Sequence, residues 1–415
     1  MTGGREYQSM SRFPVAVAAP FGLVILVAVA WAADPGPAVT SQWRGPNRDG
    51  TFPQAALATD WTSHPPRQVW KANVGIGFTG VAVAGGLACT AGNRDETDTW
   101  YAFDAATGAV KWTYAYPCEL ADLRHEGGPY ATPAVEDGRL YAFSKTGVAF
   151  CLDAGTGKAV WKTDVAEITG TERPRYGYSS SPLIHGRLLI LNVGPAGVAF
   201  DKATGRLVWK SSGSHRPGHA SPMLVPGERG RKLLILAESQ LSLVDPATGR
   251  VLTAQTLPAG DRPYKIADPL LVGEGIFITA SYDNFCALFE IGSGGFRKVW
   301  ENTSLISKVL NPAAIGDHVI GGYKERSFRC ISAATGELKW EERFAGNPIL
   351  VGRQCLILTT EGELVLADVS PTAYKELARQ KVIGGKCWTP PTFAGGRLYC
   401  RNATGDVVCV DPAGT

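Results

Sequence analysis

The side chains able to do chemistry gather in short stretches that each run up to a proline. Arg124, His125, Glu126 and Tyr130 precede Pro133; Arg173, Arg175, Tyr176 and Tyr178 precede Pro182; His215, Arg216 and His219 precede Pro222. Tyr264, Lys265 and Asp268 lead to Pro269, Lys308 and Asn311 to Pro312, Asn347 to Pro348, and Lys386 and Trp388 to Pro390. Cationic and aromatic groups converging on one channel suit an anionic or flat aromatic ligand. The candidate ligand-contacting set is therefore His125, Glu126, Arg173, Tyr176, His215, His219, Lys265, Asn311, Asn347 and Trp388. A channel mouth is also polar and wet in the absence of any ligand, so a specific site and a solvated rim are both open.

Three more pointed readings are weaker. His215 and His219 stand four apart, but in a loop that spacing has no helical face to align the rings, so no metal site is expected. Ser179-Ser180-Ser181 is not followed by a helix and reads as a turn rather than a nucleophile elbow. Asp268 is the one acidic residue directly before such a proline and the best stand-in for a general base; capping the turn at Asp268-Pro269 is its duller alternative.

These stretches alternate with a recurring phrase: an acidic or small polar residue, two spacers, Thr-Gly, then an apolar residue before Trp. Asp104 to Gly108 leads to Trp112, Asp153 to Gly157 to Trp161, Asp201 to Gly205 to Trp209, and Ser332 to Gly336 to Trp340. Asp245 to Gly249 runs instead into Leu252, and looser copies span Glu290 to Trp300 and Asp368 to Leu377, with an eighth beginning at Asp411. A period of about 40 to 50 residues signals a repeat architecture.

One repeat shows the grammar. Tyr130–Val135, Arg139–Phe143, Val148–Leu152 and Lys158–Lys162 read as four short strands separated by Gly-containing turns, a single antiparallel sheet of hairpins. The Asp accepts from backbone N–H groups two and three residues on, and the Gly supplies the positive φ. The Trp gives the outer strand a large apolar side chain for a neighbouring sheet to bury. One such sheet cannot bury both faces, whereas eight arranged radially can. The expected fold is all-β, an eight-bladed β-propeller of four-stranded antiparallel blades. The last copy lacks its fourth strand while Gln68–Lys71 is a fourth strand without a turn, so the ring closes through this N-terminal strand and leaves no free edge. The propeller then occupies residues 68–415, preceded by a Pro/Gly-rich lead-in over 33–67, read as an irregular strap across one face.

At the N-terminus Arg5 and Arg12 are followed by an uncharged stretch, Phe13–Ala33, with Ala30-Trp31-Ala32 at its end. Residues 1–32 are expected to be a signal peptide cleaved after Ala32, with an uncleaved anchor as the alternative. The expected location is periplasmic or cell-envelope, with membrane contact only through that segment if it is retained. A formal charge of +3 and no long basic run argue against a nucleic-acid partner. Nine cysteines leave at least one unpaired within the chain. Cys151, Cys330 and Cys409 share a repeat column with Ala102 and Ala199, the mark of a small buried slot. Cys400 and Cys409 flank Thr404-Gly405, and a two-residue hairpin there would put them opposite each other.

The Asp-x-x-Thr-Gly-x-x-x-Trp phrase at this spacing resembles the quinoprotein-type (PQQ-like) β-propeller repeat over residues 68–415, the superfamily of the pyrroloquinoline-quinone (PQQ) alcohol dehydrogenases and of the BamB family. Trp43-Arg-Gly-Pro-Asn-Arg-Asp-Gly50 and Tyr374–Arg379 resemble segments of exported PQQ-like proteins. The enzyme branch implies a calcium-bound PQQ on the axis, an Asp base and a disulfide between adjacent cysteines; this chain has no Cys-Cys pair, and no cofactor-binding residue carries over. The BamB resemblance implies a non-catalytic exported scaffold engaging an envelope protein partner through its loop face, although the lipid-bearing cysteine is missing. A PQQ-dependent alcohol or sugar oxidoreductase is the alternative.

Overall fold

The computed structural model describes residues 40–52, 57, 60–227, 230–262 and 264–414. The expected signal segment, residues 1–32, lies outside them. Among the described residues no helix is long and apolar enough to cross a membrane. The fold is an eight-bladed β-propeller, each blade a four-stranded antiparallel meander with its first strand innermost. The second blade (Ala134–Glu136, Arg139–Phe143, Val148–Asp153, Ala159–Asp164) typifies the rest. Its inner strand begins later than the pattern suggested, because Tyr130 to Pro133 lead into the blade without joining its ladder.

The eighth blade joins the two ends of the ring. Arg67–Asn73 pairs antiparallel with Asp406–Asp411, outside Arg397–Arg401 and Thr392–Ala394. The seventh blade gains a fifth strand, Thr51–Phe52, running parallel to its inner strand Gly346–Val351. Buried aliphatic and aromatic side chains form clusters between successive blades, such as Leu140, Phe150 and Leu152 of the second blade with Trp100 and Trp112 of the first.

The repeated phrase is a blade-to-blade fastener. The Asp153 carboxylate accepts from the Thr156 N–H (3.0 Å) and hydroxyl (2.9 Å), closing its turn. The Trp of one blade then donates its indole N–H to the carbonyl just after the first residue of the next blade's turn. Trp70 donates to Ala105 at 3.1 Å, Trp112 to Ala154 at 2.7 Å and Trp161 to Lys202 at 3.0 Å. Trp209 and Trp300 repeat the bond to Pro246 and Ala333, and Trp340 reaches Ser370, two residues past Asp368 in the looser seventh copy. The turn glycine is needed twice over: Gly157 has φ +71°, and a Cβ there would stand 2.6 Å from the Trp112 ring.

The register corrects the assignment of this column in two blades. Every outer strand bulges by one residue just before the Trp position. In the fourth and seventh blades the residues skipped are Leu252 and Leu377 themselves, so the column is filled by Thr253 and Ala378. Thr253 accordingly lies against Gly295, where a Cβ would sit 2.4 Å from its hydroxyl. Opposite the Trp lies the small slot expected for the Cys/Ala column: Cys151 faces Trp161, Ala102 faces Trp112 and Ala199 faces Trp209.

The possible pairing of Cys400 with Cys409 does not occur. The hairpin closes on Arg401 and Val407, so Cys400 faces Val408 while Cys409 faces Tyr399, and alternation puts the two thiols on opposite faces of the sheet. All nine cysteines are free and buried.

Gly138 and Gly157 separate conformation from contact. Gly138 has φ +70° with no atom near a built Cβ. Gly138→Ala should cost about 1–2 kcal/mol of stability, and Gly157→Ala roughly 1–3 kcal/mol more because Trp112 must be displaced. Equal urea midpoints for the two variants would refute the role given to the indole contact.

Candidate functional site

A closed circuit of side-chain hydrogen bonds precedes the inner strands. Gly80 donates its N–H to the Thr132 hydroxyl (2.8 Å), Thr132 to Ser181 (2.9 Å), Ser181 to Ser221 (3.1 Å), and Ser221 to the Asp268 carboxylate (2.7 Å). Asp268 donates its N–H to the Asn311 side-chain oxygen (2.9 Å) and Asn311 to that of Asn347 (3.0 Å). Asn347 then donates from its side chain to the Trp388 carbonyl (3.0 Å), and the Thr389 hydroxyl to the Phe78 carbonyl (2.7 Å), returning to the first blade. Apart from Gly80, the residues carrying these side chains directly precede a proline. Proline holds the residue before it extended, and a short Ser, Thr, Asp or Asn side chain then reaches the neighbouring backbone.

The lead-in crosses the channel and fills one end of it. Thr40 exchanges both backbone hydrogen bonds with Val83 of the first blade, Ser41 accepts from Val135 of the second, and Gly50 accepts from Leu350 of the seventh. Between these ends the Trp43 indole donates to the second Asp268 oxygen (2.5 Å). Arg44 donates to the Pro312 and Asp49 carbonyls, with its guanidinium 3.8 Å from Asp268. Arg48 donates to the Ser181 and Pro182 carbonyls, both at 2.9 Å. Both arginines are buried, and burial pushes each below its ordinary pKa, Arg48 to about 10. Asp268 therefore does not cap its own turn. It sits in the circuit and clamps the lead-in, with both oxygens occupied.

Above this floor the loops joining each outer strand to the next inner strand enclose an axial cavity of about 370 Å³. Its wall is a nearly continuous belt, of which every ring but Tyr264 lines the cavity. Trp388 stacks on Phe78 at 5.6 Å between centroids; Phe78 meets His125 at 5.7 Å, His125 meets Tyr176 at 5.4 Å, and Tyr264 follows Tyr176 at 5.3 Å. Tyr282 follows at 5.3 Å, and the Lys308 ammonium bridges the last gap, 5.4 Å from the Tyr282 ring and 5.8 Å from Trp388. His219 joins from below, its Nδ1 2.8 Å from the Ser179 hydroxyl. Burial lowers the pKa of His125, and Lys386 and Lys308 oppose its protonation further against the pull of Glu126. Burial, reinforced by His125, brings His219 to about 4. Both imidazoles are therefore neutral at pH 7.

Of the residues singled out from sequence, His125, Tyr176, His219, Asp268, Asn311 and Trp388 line the cavity. Asn347 serves the circuit beneath it. Glu126 pairs with Lys386 at 2.6 Å. The other three belong to local structure. Arg173 is ion-paired to Glu119 at 2.8 Å, His215 bonds to Ser239 at 2.8 Å, and Lys265 is buried against Asp283 and the Pro258 carbonyl. The set omits Arg124, Tyr130 and Lys308, which the same pre-proline stretches contain, and Arg262, which stands a little further upstream. It also omits Trp43 and Phe78, which precede no proline of this kind, and Tyr282, which comes from a hairpin inside the fifth blade.

Fold and site together define a PQQ-like β-propeller whose axial cavity is floored by its own lead-in. Residues 120–342, more than half of the chain, match the family described as outer membrane protein assembly factor BamB, and the chain belongs to that family. BamB from Moraxella catarrhalis superposes with a TM-score of 0.63 at 20% identity, over 83% of this chain and 99% of that one. A quinohemoprotein alcohol dehydrogenase from Comamonas testosteroni does so at 0.56 and 12% identity, over 91% and 81%. Tetrathionate hydrolase of Acidithiobacillus ferrooxidans is 22% identical over 313 residues, 73% of this chain and 53% of that protein. The chain thus spans about half the length of this curated relative. At such identities the structural likenesses establish the fold.

A calcium-held quinone does not fit the lining. Calcium takes six to eight oxygen ligands. Among the described residues the cavity's one carboxylate is Asp268, already engaged on both oxygens, and no group of three His, Cys, Asp or Glu side chains lies together.

Two outcomes follow. Asp268→Ala strands the buried Arg44 and should cost about 3–5 kcal/mol, with new protease cleavage within residues 40–52; retained stability and protection would refute the clamp. His219, depressed from 6.5 to about 4, contributes stability that is full above pH 6.5 and lost as the pH falls toward 4. The loss is on the order of 3 kcal/mol. His219→Gln should flatten this part of the urea-midpoint profile, and an unchanged slope would count against a neutral buried imidazole.

Proposed function

We propose that the chain is an exported, non-catalytic propeller of the cell envelope that engages an envelope protein partner through the face carrying the cavity mouth. The carrying observation is Asp268. The acid best placed to act as a base at the axis accepts from Ser221 and Trp43 and neighbours Arg44, so its carboxylate works as a structural clamp. Membership of the BamB family supports the envelope setting and a binding role.

The same face offers an anchor surface. Leu123 is 54% exposed and Ile168 41% exposed on consecutive loops that are tied together by the Arg173–Glu119 ion pair. Large apolar side chains within a charged rim are the usual anchors of a protein interface.

The competing reading is a PQQ-dependent alcohol or sugar oxidoreductase. Its support is the structural likeness to the Comamonas enzyme and the basic, aromatic belt, and the donor set argues against it.

Two measurements decide. Leu123→Asp with Ile168→Asp should weaken photo-crosslinking to an envelope protein by at least about tenfold while leaving the melting temperature unchanged; undiminished crosslinking would remove this surface from the proposal. Purified protein given PQQ and calcium should acquire no bound chromophore and reduce no dye with alcohols. Saturable binding with turnover would establish the oxidoreductase instead.

A further inference from the structure

Most polar groups around the axis are consumed by the circuit, the lead-in or local pairs. Among the described residues of the lining, three cations and two buried neutral atoms are not. Arg124, Arg262 and Lys308 line the cavity, and among the described residues none of their side chains has an ion-pair or hydrogen-bond partner. Lys308 is held against the Tyr282 and Trp388 rings, within electrostatic reach of Glu325. Among the described residues Asp268 is the lining's sole carboxylate and it is taken, so Arg124 and Arg262 face the cavity without a countercharge, while Lys308 has only the Glu325 carboxylate, outside the lining, acting on it. His219, 6% exposed, has Nε2 unpartnered, and the Tyr130 hydroxyl is likewise buried without a partner. A buried polar atom left unsatisfied costs about 1–3 kcal/mol, so such atoms at a cavity wall point to a ligand that satisfies them.

The chemistry of the missing partner is constrained from three sides. The belt demands apolar surface, the cations demand negative charge, and the unpartnered atoms demand neutral hydrogen-bonding groups. A hydroxyl both donates and accepts, so it satisfies His219 Nε2 in either tautomer of the ring and Tyr130 with its proton turned either way. Ser179 and Ser221 lie on the same wall, their hydroxyls already engaged with His219 and the Ser181 N–H. A flat aromatic anion without hydroxyls answers the belt and the cations but leaves His219 Nε2 and the Tyr130 hydroxyl without partners.

We propose that the axial cavity is a receptor site for an acidic saccharide. The C–H face of a sugar ring packs on the aromatic belt, its anionic substituent lies among Arg124, Arg262 and Lys308, and its hydroxyls meet His219 and Tyr130. A volume of about 370 Å³ falls within the usual range for small-molecule pockets. The site shares no residue with the partner surface at Leu123 and Ile168, so the binding at either can fail alone.

The test is calorimetric titration of the full chain with digalacturonate, its methyl ester and naphthalene-2,6-dicarboxylate. Digalacturonate should bind saturably at one site, weakening as salt rises, and the ester should bind at least about tenfold more weakly, since a charge-assisted hydrogen bond is worth about 1.5–3 kcal/mol. Lys308→Ala and Arg262→Ala should each lower affinity by about tenfold, at unchanged melting temperature. His219→Phe should weaken the acid and the ester alike, because it removes a hydroxyl contact and not a charge. Equal binding of acid and ester, tighter binding of the naphthalene dicarboxylate, or no saturable binding of digalacturonate would each overturn the proposal.

Discussion

The molecule depends on the angular spacing of its blades, and that spacing is set at the axis by one class of bond. In seven of the eight blades a residue at or just before the start of the inner strand carries a short polar side chain that meets the backbone of the adjacent blade, and the series closes through the backbone of the first blade at Phe78 and Gly80. At the rim the indole bonds from Trp70, Trp112, Trp161, Trp209, Trp300 and Trp340 perform the same task with a different donor. The blades are therefore located at two radii, with aliphatic packing between them. This arrangement leaves the loops above the axis free of structural duty, and those loops supply most of the cavity wall.

Asp268 shows how the circuit constrains the site. Its N–H and one carboxylate oxygen belong to the ring, and its other oxygen holds Trp43. Arg44 and Arg48 bring positive charge into a region with little water, where an unpaired charge is costly. The carbonyls of Ser181, Pro182 and Pro312 take their N–H groups, and Asp268 and Asp49 supply the two countercharges. The floor of the cavity is consequently close to neutral, and the electrostatic character of the site comes from the three cations above it.

Much of this was legible in the sequence, and the remainder was hidden for identifiable reasons. Periodicity with a turn signal at each repeat carries fold and blade number, because both are local. The strand at Arg67–Asn73 could be matched to the far end of the chain because the two incomplete repeats complement each other. The bulge before each Trp was not visible, since it changes register without changing composition; hence the misplacement of Leu252 and Leu377. The prolines marked the axis, and His125, Tyr176, His219, Asn311 and Trp388 were found by proximity to them. Arg173, His215 and Lys265 share that proximity, yet their partners Glu119, Ser239 and Asp283 lie in other loops, and no local pattern reveals which side chain turns inward. The clearest unused signal was the residue directly before each proline. Thr132, Ser181, Ser221, Asp268, Asn311, Asn347 and Thr389 form a column of short polar side chains, and such a column implies a common hydrogen-bonding task.

The lead-in has a consequence for traffic. Because residues 40–52 stop one end of the channel and are themselves held by three blades or more, the cavity is a cup and not a conduit. Anything held in it arrives and departs by the same opening, over the loops that bear Leu123 and Ile168. Occupancy of the cup and occupancy of the rim therefore share one doorway. A macromolecule seated across that rim would slow the exchange of whatever lies beneath it, coupling the two by obstruction alone, without any change in the shape of the propeller.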